Sequence, residues 1–444
     1  MKIVLYCICS TMHSWPWANG YSIFVSGKRG MLMAEIKDFN RNQYLLKGGK
    51  DKKNDDKEND GEKKSMDSVL ARYRQVKLYS VLTILALAAV VAVGSYINYK
   101  NKEYIDYEVI QQSEWVRASE SKSINLGGIL FTYSHDGMNC TDLRGKTIWN
   151  QTYEMQNPEI RTSGKTVAVG DYNGRKIYVA NTQGMIGTVE TTMPIRDFCV
   201  SANGVVAAVL DDSAVTWVYL YNAATGEAFA DFKTRMSNSG YPIAIGISND
   251  GSLVGISYIK AEKGKMVSNI GFYNFSAVGQ NYTDNFVSGY VYPEAVIPMV
   301  HFMGNDTVFA VADNRRMFFK GRQKPESVSE TMISEEIQSV FYNENYVGLV
   351  FYNTAAETTY RVEVYDTNDK KVSEIAFDMD YKEILFDASG IIIYNDSECL
   401  IYDWNERLKY HGIFEERVLC FIPGRNISRH TLVTEDAIQT IQLQ

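Results

Sequence analysis

Residues 78–97, LYSVLTILALAAVVAVGSYI, run for twenty positions without a charge, and no other stretch restricts the fold of the chain as strongly. At 1.5 Å per residue a helix of that length covers about 30 Å, the hydrocarbon thickness of a bilayer. Only Ser80, Thr83 and Ser95 interrupt the apolar surface, too few for the polar stripe of a helix packed on a soluble core. The run begins about eighty residues into the chain and is longer than the apolar region of a cleaved signal peptide. It is expected to stay as a signal-anchor, a single transmembrane helix.

The flanks give an expected orientation. Lys63, Lys64, Arg72, Arg74 and Lys77 precede the span, against Lys100, Lys102 and Arg117 after it. This bias places the N-terminus in the cytoplasm and the C-terminal part outside the cell membrane. Residues 1–99 hold 15 Lys and Arg against 9 Asp and Glu, a net of +6, so with −8 on the whole chain residues 100–444 carry −14. A domain so acidic is not expected to bind nucleic acid or to lie on anionic lipid. Ala88 and Ala92 offer a small-xxx-small pair for weak homodimerisation through the span.

Ahead of the span, residues 1–30 contain no acidic residue and an apolar run too short to cross a membrane. They read as a mis-called N-terminal extension, with Met31 or Met33 as the expected start. Residues 31–64 are expected to be a disordered cytoplasmic tail, because 47–64 hold seven Lys and six Asp or Glu with nothing to bury. Residues 65–77 read as a juxtamembrane helix, with Ser65, Asp67 and Ser68 as capping candidates.

Beyond Lys100 the pattern changes to runs of five to eight residues rich in Val, Ile, Tyr and Phe, separated by Gly, Asn and Asp. A unit recurs: an apolar strand end, then Asp or Asn, a short turn often with Gly, and another strand. Its anchors are Asp142, Asn181, Asn222, Asn274, Asp366 and Asp403, spaced 39, 41, 52, 92 and 37 residues apart. Taking 92 as two steps, with a degenerate unit near Phe319 to Lys324, six steps average 43.5 residues, the period of a four-stranded propeller blade. A second pattern, a tight turn followed by a strongly apolar strand, recurs at Ser163, Ala202, Asn249, Gly304 and Ala388 and fits strand b of successive blades.

Seven units have a strand c to strand d turn, and residues 437–442 supply an eighth strand c with no strand d after it. A ring leaves no open edge, so the missing strand is expected from the start of the domain, residues 107–111. The expected architecture is all-β, an eight-bladed β-propeller over residues 105–444, with seven blades as the alternative. The four cysteines of this part, Cys140, Cys199, Cys399 and Cys420, lie beside apolar strands without CxxC spacing and read as buried free thiols.

The turns DLRGKTIW from Asp142 and NAATGEAFA from Asn222 resemble the D-x-x-x-G-K-x-x-W turn of quinoprotein-like, WD40-like propellers; the first is one residue short and alone carries the Trp. The layout as a whole, with GGILFTYSHDG and VAVGDYNGRKIYVAN in a propeller behind a charged tail and one span, resembles an uncharacterised family of membrane-anchored propellers of Gram-positive bacteria, over about residues 70–444. That resemblance implies a fold and no established activity.

No enzyme is expected. The quinoprotein resemblance would imply a calcium site, a catalytic Asp and usually a vicinal disulfide, but the chain has no Cys-Cys pair and the Trp-bearing turn occurs once. Its five histidines show no metal-ligand spacing, and neither a GxSxG elbow nor a phosphate-binding glycine loop occurs, so no cofactor or metal is implied. Two constellations are candidates for partner binding. The first is an anionic rim in the b–c loops, Asp136, Asp171, Asp211, Asp212, Asp313 and Asp396, with Arg175, Arg315 and Arg316 as local counter-charges. The alternative is that these aspartates only cap their own turns. The second is the insertion 276–294, with Tyr282, Phe286 and Tyr290, which either anchors a partner or packs on its own blade. The function these features suggest is a scaffold holding a protein partner at the cell envelope; the alternative is a receptor for a small or wall-derived ligand in the propeller funnel.

Overall fold

The computed structural model describes residues 55–118, 120–212, 215–234, 239–353 and 358–444. The expected N-terminal extension and tail up to residue 54 lie outside the described residues.

One helix, α1, runs without a break over Asp55–Lys100. It starts inside the stretch expected to lack structure and passes through the expected caps at Ser65, Asp67 and Ser68. The charged stretch is rich in Lys and Glu, which are good helix formers, and no proline interrupts it; Gly61 costs only about 1 kcal/mol. Within α1, Ala71–Asn98 is long and apolar enough to cross a membrane, and none of it is buried in the protein. Chain contacts separate the part up to Val93 from a second compact unit, Gly94–Gln444.

That second unit is an eight-bladed β-propeller. Eight four-stranded antiparallel sheets follow one another, and in seven of them the strand order is the chain order. Blades 1 to 7 occupy 122–152, 158–190, 195–234, 241–293, 299–332, 337–377 and 383–413. Blade 8 takes strands a to c from Cys420–Asn426, Arg429–Val433 and Ala437–Leu443, and its outermost strand d is Tyr107–Glu114. The pairing runs from Tyr107 opposite Leu443 to Glu114 opposite Ala437, with a bulge between Val109 and Gln111. The closing strand is thus three residues longer than the expected 107–111. The degenerate fifth unit is strand c, Arg315–Lys320, turning into strand d, Glu326–Met332.

The recurring Asx anchors have one physical job. Asp142, Asp366 and Asp403 each accept, on Oδ1, the backbone N–H groups two and four residues on, at 2.8 to 3.1 Å. The fourth residue of each turn has positive φ: Gly145, Asp369 and Glu406. Asn181, Asn222 and Asn274 cap their turns in the same way, accepting from residues 183, 224 and 276. Just before every one of these c–d turns the register shifts by a bulge. The short side chain closes the turn and the bulge gives the outer strand the extra twist of a blade.

Packing accounts for the ring. Both faces of each sheet are covered by the neighbouring blades, so strands b are buried almost throughout, as in Thr307–Val311 and Gly390–Tyr394. The core divides into eight apolar clusters, one at each blade interface. The interface that closes the ring joins Leu130 of blade 1 to Cys420, Ile422, Val433 and Ile438 of blade 8, with Trp115 of the intervening connector packed among them. Cys140, Cys199, Cys399 and Cys420 are free and buried, and burial raises the Cys140 thiol to about 11.

Candidate functional site

In this topology the b–c turns and the d-to-a connectors open at one end of the ring, and the a–b and c–d turns at the other. The aspartates chosen from the sequence do lie at the first end, but most have partners. Asp171 accepts the N–H groups of Gln156 and Asn157 at 3.1 and 2.7 Å, and Asp313 accepts that of Val296 at 3.1 Å. Each therefore ties a b–c turn to the connector entering its own blade. Asp211 is paired with Arg196 at 3.2 Å, and Asp396 with Lys382 and Arg417 at 2.8 Å. Asp136 is exposed, as is Arg175, and Asp212 ends strand b of blade 3.

The expected counter-charges Arg315 and Arg316 are engaged by carboxylates other than the chosen aspartates. Arg315 donates to Glu330 at 2.7 Å. Arg316 donates to Asp369 at 2.7 Å and lies 3.9 Å from the centre of the Tyr365 ring, with only 14% and 7% of the two ionic side chains exposed. This is a sealed pair between blades 5 and 6; the left-handed position in the Asp366 turn places its carboxylate.

The aromatic insertion divides between its two readings. Tyr290 packs on the interface of blades 4 and 5 and its hydroxyl donates to the Pro325 carbonyl at 3.1 Å, so it belongs to the scaffold. Tyr282 and Phe286 are exposed. They stand at the c–d turn of blade 4, at the other end of the ring from the aspartates.

Exposed carboxylates gather instead at blades 6 to 8. The connectors 333–336, 378–382 and 414–419 and the turn 434–436 contribute Glu335, Glu336, Asp378, Asp380, Glu415, Glu416, Glu435 and Asp436, all exposed. The two bases in these loops, Lys382 and Arg417, both bind Asp396, and Arg417 also reaches Glu435 at 3.6 Å. Nothing in the strand periodicity marks these residues; only the connector positions do.

The ring encloses a central channel of about 950 Å³ lined by strand a of every blade. A hydrogen-bond chain crosses it at the a–b end: Ser163 of blade 2 donates to Asn249 of blade 4 at 3.1 Å, and Asn249 donates to Glu344 of blade 6 at 3.0 Å. On its wall Arg161 of blade 2 donates to Glu159 at 3.1 Å and to Asp197 at 2.9 Å. Burial raises the Asp197 pKa in spite of that arginine. The rings of His301 of blade 5 and Tyr342 of blade 6 lie with their centres 4.1 Å apart and tilted by 44°, and burial pushes the His301 pKa down to about 4. Glu383, at the head of strand a in blade 7, accepts a 2.5 Å hydrogen bond from the buried Tyr394 hydroxyl. Among the described residues no group of three His, Cys, Asp or Glu is placed to hold a metal ion.

A closed ring of eight four-stranded blades with a crossed channel defines a β-propeller protein carrying one apolar helix. The chain belongs to a family of unknown function, DUF5711, whose model matches residues 100–443. No curated protein matches it. Among solved structures it is similar to BamB from Moraxella catarrhalis, at 11% identity and a TM-score of 0.44 over 76% of this chain and 100% of that one. It is also similar to a eukaryotic initiation factor, at 12% identity and a TM-score of 0.47 over 74% and 87% of the two chains. A third is the Dos1 propeller, at 11% identity and a TM-score of 0.44 over 77% and 94%.

Proposed function

We propose that this protein is a non-enzymatic, membrane-anchored scaffold whose propeller, outside the cell membrane, holds a basic protein partner at the envelope. The observation that supports it best is the group of eight exposed carboxylates at blades 6 to 8: Lys382 and Arg417 are held by Asp396 outside the group, and Arg361, Arg117 and Arg417 reach only two of its members, Glu335 and Glu435. Such a field steers an oppositely charged partner and selects against acidic ones. The rigid ring adds a fixed platform, and Ala71–Asn98 supplies the anchor. In this reading Asp171 and Asp313 shape the platform, and the span also supports weak self-association through Ala88 and Ala92. The channel gives the second reading, a receptor for a small ligand, a place to act.

Cross-linking on intact cells, followed by purification of the full-length protein, tests the scaffold. One or two envelope proteins should be recovered in near-stoichiometric amounts. Replacing Glu415, Glu416, Glu435 and Asp436 with their amides should weaken that recovery and reduce its salt dependence. Recovery unchanged by the four amides would reject this face as the site.

A further inference from the structure

We infer that the channel is a binding site for an organic cation, an alkylammonium or guanidinium group on an apolar stem, with Glu383 as its anion. Three observations converge on that carboxylate. It lines the 950 Å³ channel and stands at the head of strand a, at the opposite end from the Ser163, Asn249 and Glu344 crossing. No cation is paired with it among the described residues, although Lys382 precedes it, because the Lys382 ammonium is held by Asp396 at 2.8 Å and by the carbonyls of Val418 and Leu419. And it is supported from behind: the Phe421 N–H donates to the Tyr394 hydroxyl at 3.4 Å, which donates to Glu383 Oε2 at 2.5 Å.

Tyr394 is 1% exposed, so this hydroxyl has no role in solvent; it fixes one carboxylate oxygen and leaves the other directed by the same geometry. A buried donor that orients an unpaired anion at a cavity wall is the arrangement of a binding group rather than of a structural ion pair. The other acids of the wall differ in this respect, since Asp197 has Arg161 and Glu344 has Asn249. Leu385 and Phe421, on the same and the adjacent blade, line the channel with Glu383 and provide the apolar surface for the stem. The volume lies within the range of pockets that enclose small organic ligands, about 300 to 1,000 Å³. This site is independent of the carboxylates at blades 6 to 8, and either can fail without the other.

The test is calorimetric titration of the full-length protein, in nanodiscs of uncharged phosphatidylcholine, with agmatine, with cadaverine, and with an acetylated, amidated lysine tripeptide of glycine flanks. Hexanoate serves as the anionic control. At least one cation should bind at one site per chain and hexanoate should not. Glu383→Gln, which keeps the Tyr394 hydrogen bond, should weaken the cation at least tenfold with an unchanged melting temperature. Tyr394→Phe should weaken it less, with the carboxylate present but unsupported. Tighter binding of agmatine or cadaverine makes the occupant a free amine, and tighter binding of the peptide makes it a side chain of a partner. Absence of binding by all three cations, or binding equal in Glu383→Gln, overturns the inference.

Discussion

Asp171 and Glu383 are carboxylates at the same end of one ring, and their surroundings are opposite. Asp171 accepts two backbone N–H groups of the connector that enters its blade, and its anionic charge is absorbed by local geometry. Glu383 accepts one hydroxyl from a buried tyrosine and faces a cavity. In this propeller, loop acids such as Asp171 are fasteners, whereas Glu383, at the head of an innermost strand, lines the channel without a paired cation among the described residues.

The comparison breaks hardest at the most enclosed pair. Arg316→Ala leaves Asp369 buried and uncompensated, and should cost about 3 to 5 kcal/mol in urea denaturation. A loss below about 1 kcal/mol would mean that water reaches that carboxylate. Next are the fasteners. Asp171→Ala or Asp313→Ala should each cost about 1 to 3 kcal/mol, while the Asn replacements, which keep the accepting oxygen, should cost less. Neither pair should alter partner capture.

Acid should weaken the ring through its histidines. The His301 pKa falls from 6.5 to about 4 on folding, and that of buried His430 falls as well. A base held neutral in the folded state contributes stability that is complete above the unfolded pKa and is lost as pH falls towards the folded one. Asp197, raised by burial, works in the other direction. The protein should therefore be about 1 to 2 kcal/mol less stable at pH 4.5 than at pH 7, and His301→Gln should flatten that slope. The smallest effect belongs to the binding side of the comparison. Glu383→Gln and the four amides at residues 415, 416, 435 and 436 should each change stability by less than about 0.5 kcal/mol. A larger loss would place these acids among the fasteners.

The ring was legible in the chain because its turns are closed by local chemistry. Asp142, Asp366 and Asp403 meet their partners within four residues, so the blade period is written in short stretches, and the missing eighth strand d follows by counting. A funnel was expected, but what crosses it was not legible, since Ser163, Asn249 and Glu344 touch across 86 and 95 residues of chain and belong to three blades. Nothing in the short strand EILF marks Glu383 as cavity-facing. The start of α1 at Asp55 was missed for another reason: low hydrophobicity argues against a packed core, but a helix that is already nucleated extends into Lys and Glu at little cost.

The closing strand has a consequence in time. Tyr107 pairs with Leu443, a residue made 336 positions later, and the helix that precedes it is long and apolar enough to cross a membrane. At about 5 to 20 residues per second, that strand waits roughly 20 to 70 s for its partner. Until then an unpaired edge stands six residues from the end of α1, and blades 1 to 7 can form while the eighth cannot. Ring closure therefore waits for Ala437–Leu443, so a chain that stalls, or is cut, before Ala437 leaves seven blades assembled and the edge of Tyr107–Glu114 still unpaired.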